Sequence, residues 1–220
     1  ELNMLKIMET KEIKTLLRTN LESILSKTFA QYGFKWKKSS CKFQRKMEDF
    51  EQSILFFFSP AKLFDDKSLG HIDIMIRLDS KEINKLATIL KGAETKFDSI
   101  ETVVNVNVGL IVGKKAINWK PISIEEMNRL IETDIKSLLV EKIVPFLNDR
   151  GNIRKVLNDF ENTEPYFFSN SNDVVALLAI TMYSMLNDHE SARKVAAKYY
   201  LPDEIYRKKY KTLLHQLNCI

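Results

Sequence analysis

From Thr10 to Tyr32, apolar residues recur at helical spacing: Leu17, Leu21, Ile24 or Leu25, and Tyr32, with polar residues between them. The pattern predicts an amphipathic helix, ended by Gly33, which is free to take positive φ. The period then falls to two. Phe34–Lys38 sets Phe34 and Trp36 against Lys35 and Lys37. Cys41–Met47 sets Cys41, Phe43 and Met47 against Lys42, Gln44 and Lys46, with Arg45 interrupting the apolar side. Gln52–Ser59 is apolar on both faces. His71–Leu78 places Ile72, Ile74, Ile76 and Leu78 on one face and His71, Asp73, Met75 and Arg77 on the other. Thr102–Val112 reads as the clearest strand, with Val104, Val106, Val108, Leu110 and Val112 opposite Val103, Asn105, Asn107, Gly109 and Ile111. The joints "KSS" and "EDFE" are short enough for hairpins, and "SPAKLFDDKSLG" predicts a longer surface loop.

Helices follow the strands. Asp79 with Glu82 and Ser123 with Glu126 read as capping boxes, with Leu78/Ile83 and Ile122/Met127 as hydrophobic staples. The first opens a short helix closed near Gly92. The second opens a long helix with Met127, Ile131, Ile135, Leu138 and Ile143 as its apolar stripe. Pro145 removes a backbone donor, so a kink or break is expected there. "GNIRKVLNDF" predicts another short helix, and "ENTEPYFFSNSND" a linker. Helices are then expected over Val174–Leu186 and Ser191–Tyr200, and a last one with Pro202 at its first position and Tyr206, Tyr210, Leu213 and Leu217 buried. The expected fold is α+β. An α+β domain over residues 9–160 is expected to carry an antiparallel sheet of about five strands, packed on one face by the first helix and the long 123–147 helix. An all-helical segment, 172–218, follows.

Composition narrows the function more than the fold. A chain of 220 residues with 45% apolar content builds a substantial core. Its longest apolar run, Val174–Ile180, is too short to span a bilayer, and no signal-peptide pattern opens the chain. Cys41 and Cys219 lie at opposite ends, which is neither a disulfide framework nor a metal site, so a reducing cytosolic setting is expected. His71, His189 and His215 have no partner at metal-ligand spacing. No metal or cofactor is expected. The formal charge is +5, and residues 161–220 contribute nothing to it, with seven Lys/Arg and seven Asp/Glu. Residues 1–160 hold 27 basic against 22 acidic, and without Lys35, Lys37, Lys38, Lys42, Arg45 and Lys46 they hold 21 against 22. The positive excess is one local feature.

Catalytic signatures are missing. "GLIVGKK" has the wrong glycine spacing for a phosphate loop and lacks the Ser/Thr after its lysines. There is no Gly-x-Ser-x-Gly elbow. Cys41 has cations nearby in Lys42 and Arg45, but it lies on the apolar side of its strand and reads as a buried thiol. Two binding surfaces remain. If the His71–Leu78 and Thr102–Val112 strands pair, Asp73, Arg77, Asn105 and Asn107 share one polar sheet face, suited to a partner protein or to an unrecognised enzyme site. The basic hairpin offers Lys35, Lys37, Lys42 and Lys46, which alternation sets opposite Trp36 and Phe43. It reads as a solvated edge, a surface for an anionic protein, or a nucleic-acid grip.

Two resemblances add to this. The order helix, "GFKWKK", "CKFQRK", two more strands, "VNVNVGLIV" and a long helix with "VPFL" resembles a family of small bacterial domains of unknown function, over about residues 10–160. It implies the same sheet-and-helix fold and supplies no catalytic residues. "ALLAITMYSMLNDHESARKVAAKYY" resembles one tetratricopeptide-type helical hairpin at 176–200, with Ala192 and Ala196 as small packing positions. No 34-residue period repeats it. The expected function is therefore a bacterial cytosolic, non-enzymatic module that binds another protein, as inhibitors and immunity-type proteins do. Nucleic-acid binding through residues 35–46 is the alternative.

Overall fold

The alternation by two over residues 35–79 produces four successive strands. In a computed structural model, which describes residues 10–61, 67–92, 102–162, 164 and 171–220, these are Lys35–Lys37 (β1), Lys42–Lys46 (β2), Glu51–Pro60 (β3) and Gly70–Asp79 (β4). They are hydrogen-bonded neighbours in that order, and Val104–Asn107 (β5) extends the sheet beyond β4. A two-residue strand, Asn118–Trp119 (β6), also pairs antiparallel with β4. The α+β class and the antiparallel sheet are as the patterning predicts. Part of the loop expected after β3 lies outside the described residues.

The described residues divide into two compact units. The first gathers those of Glu1–Arg45, Ser53–Met75 and Asn107–Phe146. Its first helix, Thr10–Ala30 (α1), buries Ile13, Leu17, Leu21, Leu25 and Phe29 and contacts β1. Gly33 follows at φ +80°, as a left-handed turn requires. Phe29, rather than Tyr32, ends the buried stripe, because it stacks on Phe43 at 4.8 Å and meets Phe34 edge-on at 5.8 Å. Aromatic pairs in such geometries add about 0.5–1.5 kcal/mol each to the burial of their area.

The strand expected over Thr102–Val112 stops at Asn107, and Val108–Ile111 forms a single helical turn (α3). Asn107 causes the change. Its Oδ1 accepts from Gly109 N at 2.8 Å and Ile117 N at 2.9 Å, and its Nδ2 donates to Ile117 O at 3.1 Å. Gly109 is needed there, because a Cβ would meet Lys115 O at 2.2 Å.

The long helix runs from Ile124 to Asp149 without a break in its helical backbone, as Ile124–Leu130 (α4), a π-turn Ile131–Ile135, Lys136–Leu138 (α5), a second π-turn Leu139–Ile143, and Val144–Asp149 (α6). Met127, Ile131, Ile135, Leu139 and Ile143 form a fully buried stripe along it, so Leu139 replaces the expected Leu138. They recur every four residues. In an α-helix that spacing drifts by about 40° per step, or about 160° over the stripe. The wider π-turns take up much of the drift. Pro145 follows the second π-turn and does not break the helix, since that turn relieves the clash of its ring with the carbonyl four residues back. Ser123 caps the helix, accepting from Glu126 N at 3.2 Å, and Glu126 reaches back to Ile122 N at 2.7 Å. The expected staple does not form, because Ile122 is 66% exposed.

The second unit gathers the described residues of Lys46–Gln52, Ile76–Val106 and Leu147–Ile220. The helix Lys81–Leu90 (α2) is capped by Ser80, not by Asp79, which instead pairs with Arg77 at 2.9 Å. Ile153–Glu161 (α7) is the short helix expected after the long one, with Asn152 as its cap. Residues 163 and 165–170 of the expected linker lie outside the described residues, and its two ends are helical. Glu161 closes α7, and Asp173 lies in the first turn of Asn172–Met185 (α8). This helix is buried almost all round and packs on His189–Tyr199 (α9) and α2. Pro202 precedes the cap Asp203 instead of opening the last helix. That helix is two, Glu204–Lys209 (α10) and Lys211–Gln216 (α11), and Leu214 joins Tyr210, Leu213 and Leu217 in the core while Tyr206 is only half-buried.

Tyr200, Tyr210 and Asp173 tie this unit together. The Tyr200 hydroxyl donates to Asp173 O at 2.8 Å, the Tyr210 hydroxyl to Asp173 Oδ2 at 2.7 Å, and Lys209 Nζ to the same oxygen at 2.5 Å. The two tyrosine rings stack at 4.2 Å. Burial pushes the Asp173 carboxyl up, but the hydrogen bonds from Lys209, Tyr210 and Ser171 and the Lys209 charge outweigh it and hold the pKa at about 2.

Candidate functional site

The basic hairpin is built by strand alternation. β1 pairs with β2 so that Lys35 faces Gln44, Trp36 faces Phe43 and Lys37 faces Lys42. A 3-10 turn, Lys38–Ser40, joins the strands, and Cys41 closes it at φ 49°. Phe43 is fully buried. Trp36 lies 4.8 Å from Phe43 and 6.5 Å from Phe56, with its Nε1 shielded from solvent. The aromatics of this hairpin therefore line the core, and Lys35 and Lys37 project from the opposite, exposed side of β1.

One basic residue takes the inner side. Arg45 is buried, its guanidinium 4.3 Å from the Phe34 ring centre and donating to Tyr32 O at 2.8 Å. Lys38 in the turn pairs with Glu22 at 3.6 Å. Lys35, Lys37 and Lys42 make no ion pair among the described residues.

The third strand adds a feature the pattern did not assign. Phe56 N donates to Cys41 O at 3.0 Å, which sets Lys42 beside Leu55 in the antiparallel register. Ile54 and Phe56 face the core, so Leu55 and Phe57 share the lysine side. Phe57 is 49% exposed. Across the strands the row reads Lys37, Lys42, Leu55, with Phe57 one step along β3. The signal for it was the run Ile54–Phe58, which places two apolar residues on whichever face meets water.

The polar face proposed on β4 and β5 is only partly assembled. In the first unit, Asp73 is half-buried opposite Asn118, and burial raises its pKa, less an offset from the His71 charge. Asn107, also in the first unit, is buried and occupied by the backbone of 109 and 117, so it is not a free face residue. In the second unit, Arg77 pairs with Asp79 and Asn105 is exposed. Lys46 belongs to that unit too, apart from Lys35, Lys37 and Lys42, and lines a cavity of about 470 Å³ with Glu48, Glu51, Asp79 and Glu82.

The cysteine of the hairpin is not set up as a nucleophile. Burial pushes the Cys41 thiol up, and the cation that partly offsets it is Arg18, not Lys42 or Arg45. Among the described residues, no cluster of His, Cys, Asp or Glu has the arrangement to hold a metal ion, and no helix is long and apolar enough to cross a membrane. The chain matches no protein-family model, no characterised protein and no solved structure.

Proposed function

We propose that this chain is a non-enzymatic module of the bacterial cytoplasm that binds another protein through the outer face of the β1–β3 sheet, in the manner of an inhibitor or immunity-type protein. The observation that carries this reading is Phe57. A phenylalanine half-exposed on a strand is an apolar surface open to a partner, and here it lies beside Leu55 and near lysines that make no ion pair among the described residues. An apolar centre with a charged rim is the anatomy of a protein interface.

A photoreactive side chain placed at Phe57 tests it in lysate of the source cell. The expected product is one discrete protein adduct, absent when the same group replaces Ile205, which is 73% exposed elsewhere. Identical adducts at both positions, or none at Phe57, would count against the reading. Nucleic-acid binding is the second reading. It is favoured by the same placement, since Phe57 is an aromatic on the lysine side where Trp36 and Phe43 are not.

A further inference from the structure

Lys37 and Lys42 stand directly opposite each other across β1 and β2. Like charges in that position repel and destabilise a sheet. Lys38, one residue on, is matched by Glu22, so acidic side chains do reach this hairpin. Lys37 and Lys42 have no such match among the described residues. Local rules broken without internal compensation point to a site whose compensation comes from outside.

Resting on the protein-binding reading, we infer that the partner is an acidic polypeptide segment. It sets carboxylates on the Lys37–Lys42 pair and an apolar side chain on Phe57 and Leu55. Bound carboxylates relieve the repulsion, so part of the binding energy is stored as strain in the free hairpin. Two observations favour a polypeptide over a nucleic acid. Sheets that read bases stack two or three of them on exposed aromatics, and here Phe57 stands without Trp36 or Phe43 beside it. Leu55 offers aliphatic contact suited to a side chain rather than a base edge.

The test uses the full chain and three labelled probes in fluorescence anisotropy: a peptide alternating Glu with Leu and Phe, its Gln counterpart, and oligo(dT). The acidic peptide is expected to bind saturably, with affinity falling about tenfold or more between about 50 and about 200 mM salt. Binding is lost in K37E/K42E. The single variant Lys42→Glu is expected to melt about 1 °C higher than the parent, because a repulsive pair becomes an attractive one. Equal binding of the Gln peptide would overturn the acidic partner while leaving the protein-binding face intact. Tighter binding of oligo(dT) than of the acidic peptide would overturn both. So would failure of both peptides to bind. A lower melting temperature for Lys42→Glu would remove the strain argument.

Discussion

Asp173 and Lys42 are both charged residues on regular elements, one in each unit. Asp173 is 5% exposed at its side chain and receives hydrogen bonds from Lys209 and Tyr210. Arg150, also in the second unit, holds Asp159 through two bonds, Nε to Oδ2 at 2.6 Å and a terminal nitrogen to Oδ1 at 2.8 Å. In the first unit Lys42 faces Lys37 and pairs with no acid among the described residues. The contrast separates two uses of charge. Buried charge is matched within the fold, because an unmatched one costs several kcal/mol. Exposed charge is screened, so it can stay unmatched at small cost and remain available to a partner.

The largest effect is expected at Arg150. Arg150→Met leaves Asp159 buried without its partner and is expected to cost about 3–5 kcal/mol in urea unfolding. Burial already holds the Asp159 carboxyl above its usual range despite Arg150. The deficit of the variant should therefore narrow as pH falls and Asp159 takes up a proton. A deficit independent of pH would show that lost packing, not stranded charge, is what the substitution removes.

Asp173 makes the next test. Its folded pKa, about 2, is below the unfolded value of 3.8. The stability it contributes is therefore present above pH 3.8 and lost as pH falls from there towards 2. The loss is about 2 kcal/mol. Asp173→Asn should lower stability by about the same amount at neutral pH and flatten the acid limb of the pH profile. An unchanged acid limb would sink the assignment.

The smallest effect is one of sign. Lys38→Glu should lower stability by a few tenths of a kcal/mol, about what an exposed pair contributes, because it sets two acids together. Lys42→Glu should raise it by a similar amount. Thermal melts of the two variants side by side decide whether the hairpin charges differ as their partners do.

Several elements were legible in the chain because their causes are local. The four strands from β1 to β4, the Gly33 stop and the Ser123 cap need only neighbours within a few residues. So did the opposition of Lys35 and Lys37 to Trp36, which follows from the two-residue period alone. Of the candidate binding residues, Lys35, Lys37, Lys42 and Asp73 lie on the outer side as alternation implied, while Asn107 does not.

What alternation could not supply was decided at longer range. β5 ends at Asn107 because Ile117, ten residues on, offers its backbone to that side chain. The long helix takes π-turns because its core-facing residues recur every four, a demand set by what it packs against. Asp173 read as linker because its partners lie 36 and 37 residues away. Phe57 had no assigned side, because its strand is apolar on both faces and periodicity is silent on which one meets water. Local sequence determines where elements begin, end and alternate, since steric and capping forces act over a few bonds. Tertiary packing decides which side is buried, and so which apolar and charged residues are left for function.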